Sequence, residues 1–304
     1  MSVRLTLAAL FVVPAAMAYP WQTTADRWLL GAAVVAVVIL FVWWRGLFVT
    51  TMITRRIAML TGRADTGVRP GEYATVSLRV ESGETTELPL ALVAGYLDRY
   101  GIRFDKVRVV SRDSGTARTT WIVMTLGSAD NIAALTARSS RLPLRDTAQM
   151  SVRRLADHLR ELGWEVSLDE APAAPVTGTP KETWRGVADD DGYLAAYQVS
   201  VDDQLIETLD TARSSGAQEV WTAVEFTGSR TQPEVAAVCA LRTGERPKAR
   251  APLAKLTPEG GRHRAALSAL APSSDRRLSA HPVRVDQQML AHLRWPVGAV
   301  LSRT

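Results

Sequence analysis

The chain has 304 residues, of which 47% are hydrophobic and 22% are charged, and it contains a single cysteine. This composition excludes an intrinsically disordered chain. One cysteine excludes a disulfide framework and argues against a cysteine-based zinc or iron–sulfur site. The net charge is +5, but the first 59 residues hold five arginines against one aspartate, which leaves the remainder close to neutral. We therefore expect no nucleic-acid binding, which requires a basic face on the folded domain.

Two apolar runs lie at the start of the chain, over about 5–24 and 28–48. Each is close to the roughly 20 residues that a helix needs to cross a bilayer. They are separated by a short loop that contains Asp26 and Arg27. The pattern predicts a transmembrane hairpin over residues 1–60 that anchors the chain in the lipid bilayer.

The first run also has a second interpretation. Arg4, the apolar stretch and Ala16-Met17-Ala18 fit a signal peptide with an A-x-A cleavage site. The second run begins almost directly after Ala18, however, and a short helical hairpin explains both runs together. We favour the uncleaved hairpin over the signal peptide.

Arginine and tryptophan residues at the ends of the runs predict how the hairpin is oriented. Tryptophan is enriched at membrane interfaces, and arginine remains on the cytoplasmic side. Both termini and the main domain are therefore expected in the cytoplasm, with the chain as a multi-pass protein of the inner cell membrane. The residues expected to anchor the hairpin and set its topology are Arg4, Trp28, Trp43, Trp44, Arg45, Arg55 and Arg56.

The rest of the chain predicts an α/β (α+β) domain with mixed sheets, divided into two lobes. The first lobe covers 61–168 and begins with a strand over 72–80, followed by a helix over 90–100. Two strands over 106–112 and 119–126 are joined by the turn Asp113-Ser114-Gly115. Two helices, over 130–139 and 146–163, precede a strand over 164–168.

A Pro/Ala/Thr linker over 169–180 leads to the second lobe, over 181–304. Here we expect a strand over 193–201, a helix that starts at Asp202 or Asp203 and ends at Gly216, strands over 220–226 and 235–241, a loop over 244–261 and a helix over 286–293. The order strand–helix–strand–strand therefore occurs on both sides of the linker. This repetition suggests a duplication, although the similarity is in pattern only.

No catalytic motif, cofactor site or metal site is predicted, and we expect no small-molecule substrate. The chain has no P-loop and no G-x-S-x-G elbow, and its four histidines lack metal-ligand spacing. The run Asp189-Asp190-Asp191-Gly192 contains a D-x-D, which could hold Mg²⁺ or Mn²⁺ in a membrane-anchored, glycosyltransferase-like enzyme. Aspartates before a glycine are also ordinary turn residues, and we favour the turn. Trp184 could likewise stack on a ligand, but a core or partner-facing position is commoner.

Charge is segregated in the second half of the chain. Residues 165–210 hold eleven acidic residues against Lys181 and Arg185, whereas residues 242–277 hold nine basic residues against three acidic ones. These segments could be docking patches for partner subunits. They could equally be solvated faces, or loops that compensate each other.

Taken together, the N-terminal spans, the junction Trp44-Arg45-Gly46 before Thr50-Thr51 and Arg55-Arg56, and a domain without catalytic motifs resemble the EccE family. EccE is a membrane component of the type VII (ESX) secretion system. The resemblance spans most of the chain but has a diffuse signature. It implies a structural subunit that assembles in the inner membrane with EccB, the EccC ATPase and EccD, and it carries over no catalytic residue.

Overall fold

The computed structural model describes residues 72–81, 87–137, 143–168 and 174–298, together with scattered residues between 10 and 56. The chain divides into two compact units, Met1–Ala64 and Asp65–Thr304. All the elements described below, other than the first two strands, belong to the second unit.

In the first unit, residues 30–34 are helical. Strand β1 (Trp43–Trp44) pairs antiparallel with β2 (Leu47–Phe48), with Trp43 opposite Phe48. These four residues fall at the end of the second predicted span, over about 28–48, and are paired as strands. No helix among the described residues is long and apolar enough to cross a bilayer. The transmembrane hairpin stays a prediction.

The second unit is built on one large antiparallel sheet. Its strand order is β8-β3-β7-β6-β12-β13-β11-β10-β9, with β5, β14 and β15 paired to β6, β11 and β13. A separate two-stranded ladder joins β4 and β16. The strands are β3 (Tyr73–Glu81), β4 (Glu87–Pro89), β5 (Asp98–Arg99), β6 (Ile102–Ser114), β7 (Ala117–Gly127), β8 (Glu165–Ser167), β9 (Lys181–Thr183), β10 (Gly186–Asp189), β11 (Gly192–Val199), β12 (Glu219–Gly228), β13 (Pro233–Thr243), β14 (Leu256–Pro258), β15 (Val283–Arg284) and β16 (Arg294–Pro296).

The two halves of this sheet have mirrored strand orders, β3-β7-β6 and β12-β13-β11. In each half the last two strands in sequence form a hairpin, β6–β7 and β12–β13. The halves join where β6 pairs with β12, from Val107 opposite Phe226 to Ser114 opposite Glu219. One sheet therefore runs through both predicted lobes, while the lobe boundaries and a common origin of the halves stay predictions.

In the described part of this unit, the α-helices that accompany the sheet are α1 (Leu90–Ala94), α2 (Ile132–Thr136), α3 (Leu144–Glu161), α4 (Leu205–Arg213), α5 (His263–Leu270) and α6 (Gln287–His292). Helix α3 is amphipathic, and its buried residues recur three or four positions apart, as Ala148, Val152, Leu155 and Leu159. Helices α3 and α4 cover the sheet face that carries Val109 and Val224. Helix α5 covers the opposite face, which carries Val110 and Ala223.

The structure corrects two fold predictions. In the described part of the second unit, the predicted mixed sheets are one large antiparallel sheet and the small antiparallel β4–β16 ladder, so the domain is α+β. The helix expected over 90–100 ends at Ala94, passes through a 3-10 turn and becomes strand β5. Tyr100 then adopts a φ of 58° before Gly101, which reverses the chain into β6.

Candidate docking surface

The Asp189–Gly192 run forms the tight turn between β10 and β11. The Asp189 carboxylate accepts hydrogen bonds from the backbone amides of Thr177 (3.1 Å) and Asp191 (3.2 Å) and from Arg242 Nη1 (2.6 Å). Asp191 accepts from the Thr177 hydroxyl at 2.8 Å. Both carboxylates are thus used by the protein itself, and no metal-binding group of carboxylate, histidine and cysteine side chains occurs among the described residues.

The electrostatics of Asp189 follow from these contacts. Burial acts to raise the pKa of Asp189, but the hydrogen bonds from Arg242 and the two backbone amides outweigh it and hold the pKa below its ordinary value. Arg242 also donates from Nε to Glu219 at 2.8 Å and from Nη2 to the Pro175 carbonyl at 2.7 Å. The D-x-D aspartate therefore belongs to a structural network that ties the segment before β9 to the sheet.

Ion pairs also connect the acidic segment 165–210 with the basic segment 242–277. Arg242 with Asp189, and Lys255 with Asp202 at 2.6 Å, are ion pairs between the basic and the acidic segments. The Arg264 amide also donates to Glu182 at 3.2 Å. The two segments therefore compensate each other in part, while other basic residues of the second segment, such as Arg246, Lys248 and Arg250, are exposed.

A second buried network holds the segment that follows α5 onto the sheet. Arg108 is fully buried, donates to Glu225 at 2.5 and 2.9 Å, and donates to the carbonyls of Ala269 and Arg276. Lys106 is also buried and donates to the Asp275 carbonyl. Burial, reinforced by the neighbouring Arg108 guanidinium, lowers the pKa of Lys106 to about 7.

His263 lies in the protein interior, and the half-buried Trp184 lies beside it. His263 is buried, its Nδ1 accepts from the Ala196 amide at 3.1 Å, and its Nε2 lies 3.3 Å from the Trp184 carbonyl oxygen. A neutral imidazole protonated on Nε2 satisfies both contacts. The Trp184 ring lies so close to Gly260 that a Cβ there would approach the indole to 3.1 Å. Trp184 thus packs against the backbone, as the commoner interpretation predicts.

A groove of about 520 Å³ lies between α4, α6 and the β4–β16 ladder. Its apolar surface comes from side chains such as Ile206, Met289 and Leu293. Four carboxylates line it, from Glu87, Asp203, Asp210 and Asp286, against the basic side chains of His292 and Arg294. We call this feature the acidic groove.

Two of the four carboxylates have structural partners. Asp210 accepts from Arg213 at 2.7 Å, and Asp286 accepts from the Met289 amide as the N-cap of α6. Glu87 and Asp203 are exposed at opposite sides of the acidic groove, on β4 and before α4. The acid excess of residues 165–210 was visible in the sequence, but Glu87 and Asp286 come from distant parts of the chain and could not be assigned to the same groove.

Of the residues predicted to anchor a membrane hairpin, some are described and some are not. Trp28 is 76% exposed, Trp43 and Trp44 form β1, and Arg56 lies in a helical position. Arg4, Arg45 and Arg55 lie outside the described residues. Their role in membrane topology stays a prediction.

Comparison with known proteins identifies the family. Residues 116–199, which include β7, α3 and β11, match the family model described as putative type VII ESX secretion system translocon, EccE. The chain is 52% identical over 252 residues to the ESX-3 secretion system protein EccE3 of Mycolicibacterium smegmatis, covering 82% of this chain and 81% of that protein. It is 48% identical over 305 aligned positions to EccE3 of Mycobacterium tuberculosis, covering 96% of this chain and 91% of that protein.

The chain belongs to the EccE family. The resemblance inferred from the sequence is thereby confirmed. EccE is a secretion-system component and not a known enzyme family, so the protein is not assigned as an enzyme. The internal use of Asp189 and Asp191 agrees with this assignment and disfavours the glycosyltransferase-like alternative.

Proposed function

We propose that the protein is a non-catalytic structural subunit of an inner-membrane type VII (ESX) secretion complex. The observation that carries this proposal is the family itself, since the relatives named above are ESX-3 secretion system proteins over most of their length. In this proposal the chain docks to the other core components through its N-terminal hairpin and through the folded unit. The expected partners are EccB, the EccC ATPase and EccD.

The chemistry of the folded unit supports a scaffold role. The buried charged side chains Arg108, Glu225 and Arg242 bind one another's networks or backbone carbonyls: Arg108 donates to Glu225 and to the Arg276 carbonyl, and Arg242 donates to Glu219 and to the Pro175 carbonyl. A catalytic site would instead hold titratable groups open towards a cleft. Here the buried charged side chains hold loops in place, and the surface remains for contacts with other subunits.

Within this proposal the acidic groove receives a segment of a neighbouring subunit that carries basic and apolar side chains. Charge complementarity supports this occupant, because Glu87 and Asp203 are exposed on the walls while Ile206, Met289 and Leu293 supply apolar contact area. The groove volume of about 520 Å³ suits a few side chains of such a segment.

The membrane part of the proposal places both termini and the folded unit on the cytoplasmic side, with a two-helix anchor formed within the two apolar runs of residues 1–60. Support comes from the two apolar runs and from the arginines at their outer ends. Labelling single introduced cysteines at Ala25, in the predicted loop, and at Thr304 with a membrane-impermeant reagent tests this topology. Only the Ala25 site should react in intact cells, and reaction of the Thr304 site would contradict it.

The decisive test is co-purification of the full-length chain from native membranes in a mild detergent. We expect a large assembly that contains an ATPase subunit, identified by mass spectrometry. Recovery of the chain only as a free monomer, under conditions that keep the other membrane subunits together, would contradict the scaffold role. Calorimetry with Mn²⁺ and nucleotide sugars addresses the enzyme alternative, and we expect no heat of binding.

A further inference from the structure

Among the residues that the structure describes, one edge of the large sheet is largely unpaired. Strand β3 pairs with β7 from Tyr73 to Val80, but on its other side it pairs with β8 only from Arg79 to Glu81. Among the described residues, no strand pairs with the outer side of β3 from Tyr73 to Leu78. These residues are exposed or half-buried apart from Leu78, so the outer edge is accessible from solvent.

The hydrogen-bond pattern identifies which backbone groups point outwards. The Glu72 carbonyl accepts from the Ser128 amide at 2.9 Å, which makes Glu72 and Ser128 a hydrogen-bonded pair of the β3–β7 ladder. In an antiparallel ladder, hydrogen-bonded pairs alternate with pairs whose backbone amides and carbonyls point away from the neighbouring strand. The register of β3 against β7 is unbroken, so the amides and carbonyls of Tyr73, Thr75 and Ser77 face the open edge.

The opposite end of the sheet is protected, whereas the β3 edge is not. The outermost strand there, β9, has only three residues, begins with Lys181 and follows Pro180. Short length, lysine and proline are the usual means by which proteins block unwanted strand pairing. The stretch Tyr73–Leu78 has no charged residue, no proline and no glycine. Its sequence thus favours strand addition.

We propose that the open edge of β3 binds an extended segment of another polypeptide, which adds to the sheet as an antiparallel strand beside Tyr73, Thr75 and Ser77. Such strand addition draws its affinity from main-chain hydrogen bonds and its selectivity from alternating side chains. Every described pair in the sheet is antiparallel, which favours the same direction for the added strand.

A lone extended segment fits this edge better than a second copy of the chain does. Helix α3 contacts β3, β7 and β8, so it lies over the edge itself. Pairing β3 with its own copy would set the two strands about 4.8 Å apart. The two copies of α3 above them need about 8–10 Å between their axes. A tail or linker without a covering helix avoids this clash.

The side chains on the two faces of β3 define the chemistry of the partner. On the α3 side, Ala74 and Val76 pack against the main core, so the partner residues beside them are apolar. On the other side lie the hydroxyls of Thr75 and Ser77, and Thr75 is 3.0 Å from the Thr125 hydroxyl. The partner therefore alternates apolar residues with small or hydroxyl-bearing ones over about five or six residues.

The strand addition rests on the proposed function, because it requires a partner subunit. Hydrogen exchange distinguishes a failure of the strand addition from a failure of the proposed function. We compare amide exchange, at single-residue resolution, in the full-length chain alone and in the complex extracted from native membranes. In the chain alone, the amides of Tyr73, Thr75 and Ser77 should exchange quickly while those of Ala74 and Val76 are protected. In the complex, the three outward amides should slow by about tenfold or more.

Three results of the exchange comparison would each contradict one of the two proposals. A chain that enters no complex contradicts the proposed function. Complex formation without slowing at Tyr73, Thr75 and Ser77 overturns the strand addition alone. Protection of these three amides already in the isolated chain also overturns it, since the edge would then be covered by the chain itself.

A pair of variants provides a second test. Ser77→Pro removes an outward amide without removing a hydrogen bond to β7, whereas Ser77→Thr keeps the amide and is the matched control. We expect Ser77→Pro to weaken assembly by about tenfold, the equivalent of one hydrogen bond, with an unchanged unfolding midpoint of the isolated chain. Equal assembly of the two variants, both folded, would overturn the proposal. If Ser77→Pro unfolds the chain, the hydrogen-exchange comparison decides.

Discussion

Arg242 and Asp189 are 53 residues apart in sequence, and Arg242 Nη1 donates to Asp189 Oδ1 at 2.6 Å. Both side chains are buried, with 5% and 0% of their surface exposed. The pair connects the last strand of one hairpin to the turn between β10 and β11. It also explains why a run of aspartates that resembles a metal motif has a structural role.

Removing the charge of Asp189 should destabilise the fold. Asp189→Asn loses a charge-assisted hydrogen bond, although Arg242 keeps Glu219 and the Pro175 carbonyl, and we expect a loss of about 1–3 kcal/mol. This loss in the free energy of unfolding is measured by urea unfolding of the full-length chain, with circular dichroism as the signal. The control is Asp191→Asn at an exposed position, with an expected change within about 0.5 kcal/mol. Equal losses in both variants would contradict the role of Asp189.

The same pair predicts a pH dependence with a definite sign. Because the pKa of Asp189 is lowered in the folded state, its stabilisation is fully present above the unfolded-state pKa of about 4. It is lost as the pH falls through the lower, folded-state pKa. The difference in stability between the wild type and Asp189→Asn should therefore shrink as the pH falls from 5 towards 2, and a constant difference would contradict this assignment.

Lys106 predicts a second rise of stability with pH, in a higher pH range. Its pKa is lowered from 10.5 to about 7, so between these values the folded state releases a proton that the unfolded state retains. Stability then rises with pH across this window, by an amount on the order of a few kcal/mol. Lys106→Met should flatten the rise, while Lys181→Met, on the exposed start of β9, should leave it intact. An identical rise in both variants would exclude Lys106 as its source.

Gly260 tests the packing of Trp184. A Cβ at Gly260 would lie 3.1 Å from the indole, so Gly260→Ala should cost about 1–3 kcal/mol in the free energy of unfolding. Gly95 is the matched control, because its φ of −61° is helical and a Cβ there meets no atom within 4 Å. Gly95→Ala should be neutral or slightly stabilising in thermal unfolding. A neutral Gly260→Ala would show that the Trp184 ring is free to move aside.

The acidic groove predicts a salt-dependent contact. Combining Glu87→Gln with Asp203→Asn should weaken co-purification of the partner subunits by about 3–10-fold and reduce its dependence on salt. Asp157→Asn removes an exposed charge on α3, away from the groove, and is the control. Partner recovery that is unchanged by the double variant, at low as well as high salt, would argue against the groove as a docking surface.

Local patterns predicted most elements of the folded unit and few of their long-range relations. The alternation of β7 and the spacing along α3 located these elements to within a few residues, since both patterns depend on neighbours in sequence. The pairing of β6 with β12 depends on residues more than a hundred positions apart, and no local signal encodes it. The burial of Lys106 and Arg108 also depends on distant residues, because carbonyls after α5 accept their hydrogen bonds.

The candidate site shows the same division. The turn chemistry of Asp189 was predicted from the following glycine, and an excess of acid near Asp203 was visible in the sequence. The acidic groove, however, is formed when the β4–β16 ladder brings Glu87 beside α6. The open edge of β3 was also not predicted, because it depends on β8 ending after three residues.

The continuous β6–β12 pairing has a mechanical consequence. Hinges need a few loop residues that absorb changes in backbone angle, whereas here the two halves share a ladder of main-chain hydrogen bonds through the middle of the sheet. A push received at the β3 end would thus reach the β9 end as rigid-body displacement, without bending in between. The unit would move as one rigid body and would not close around a ligand by hinge bending.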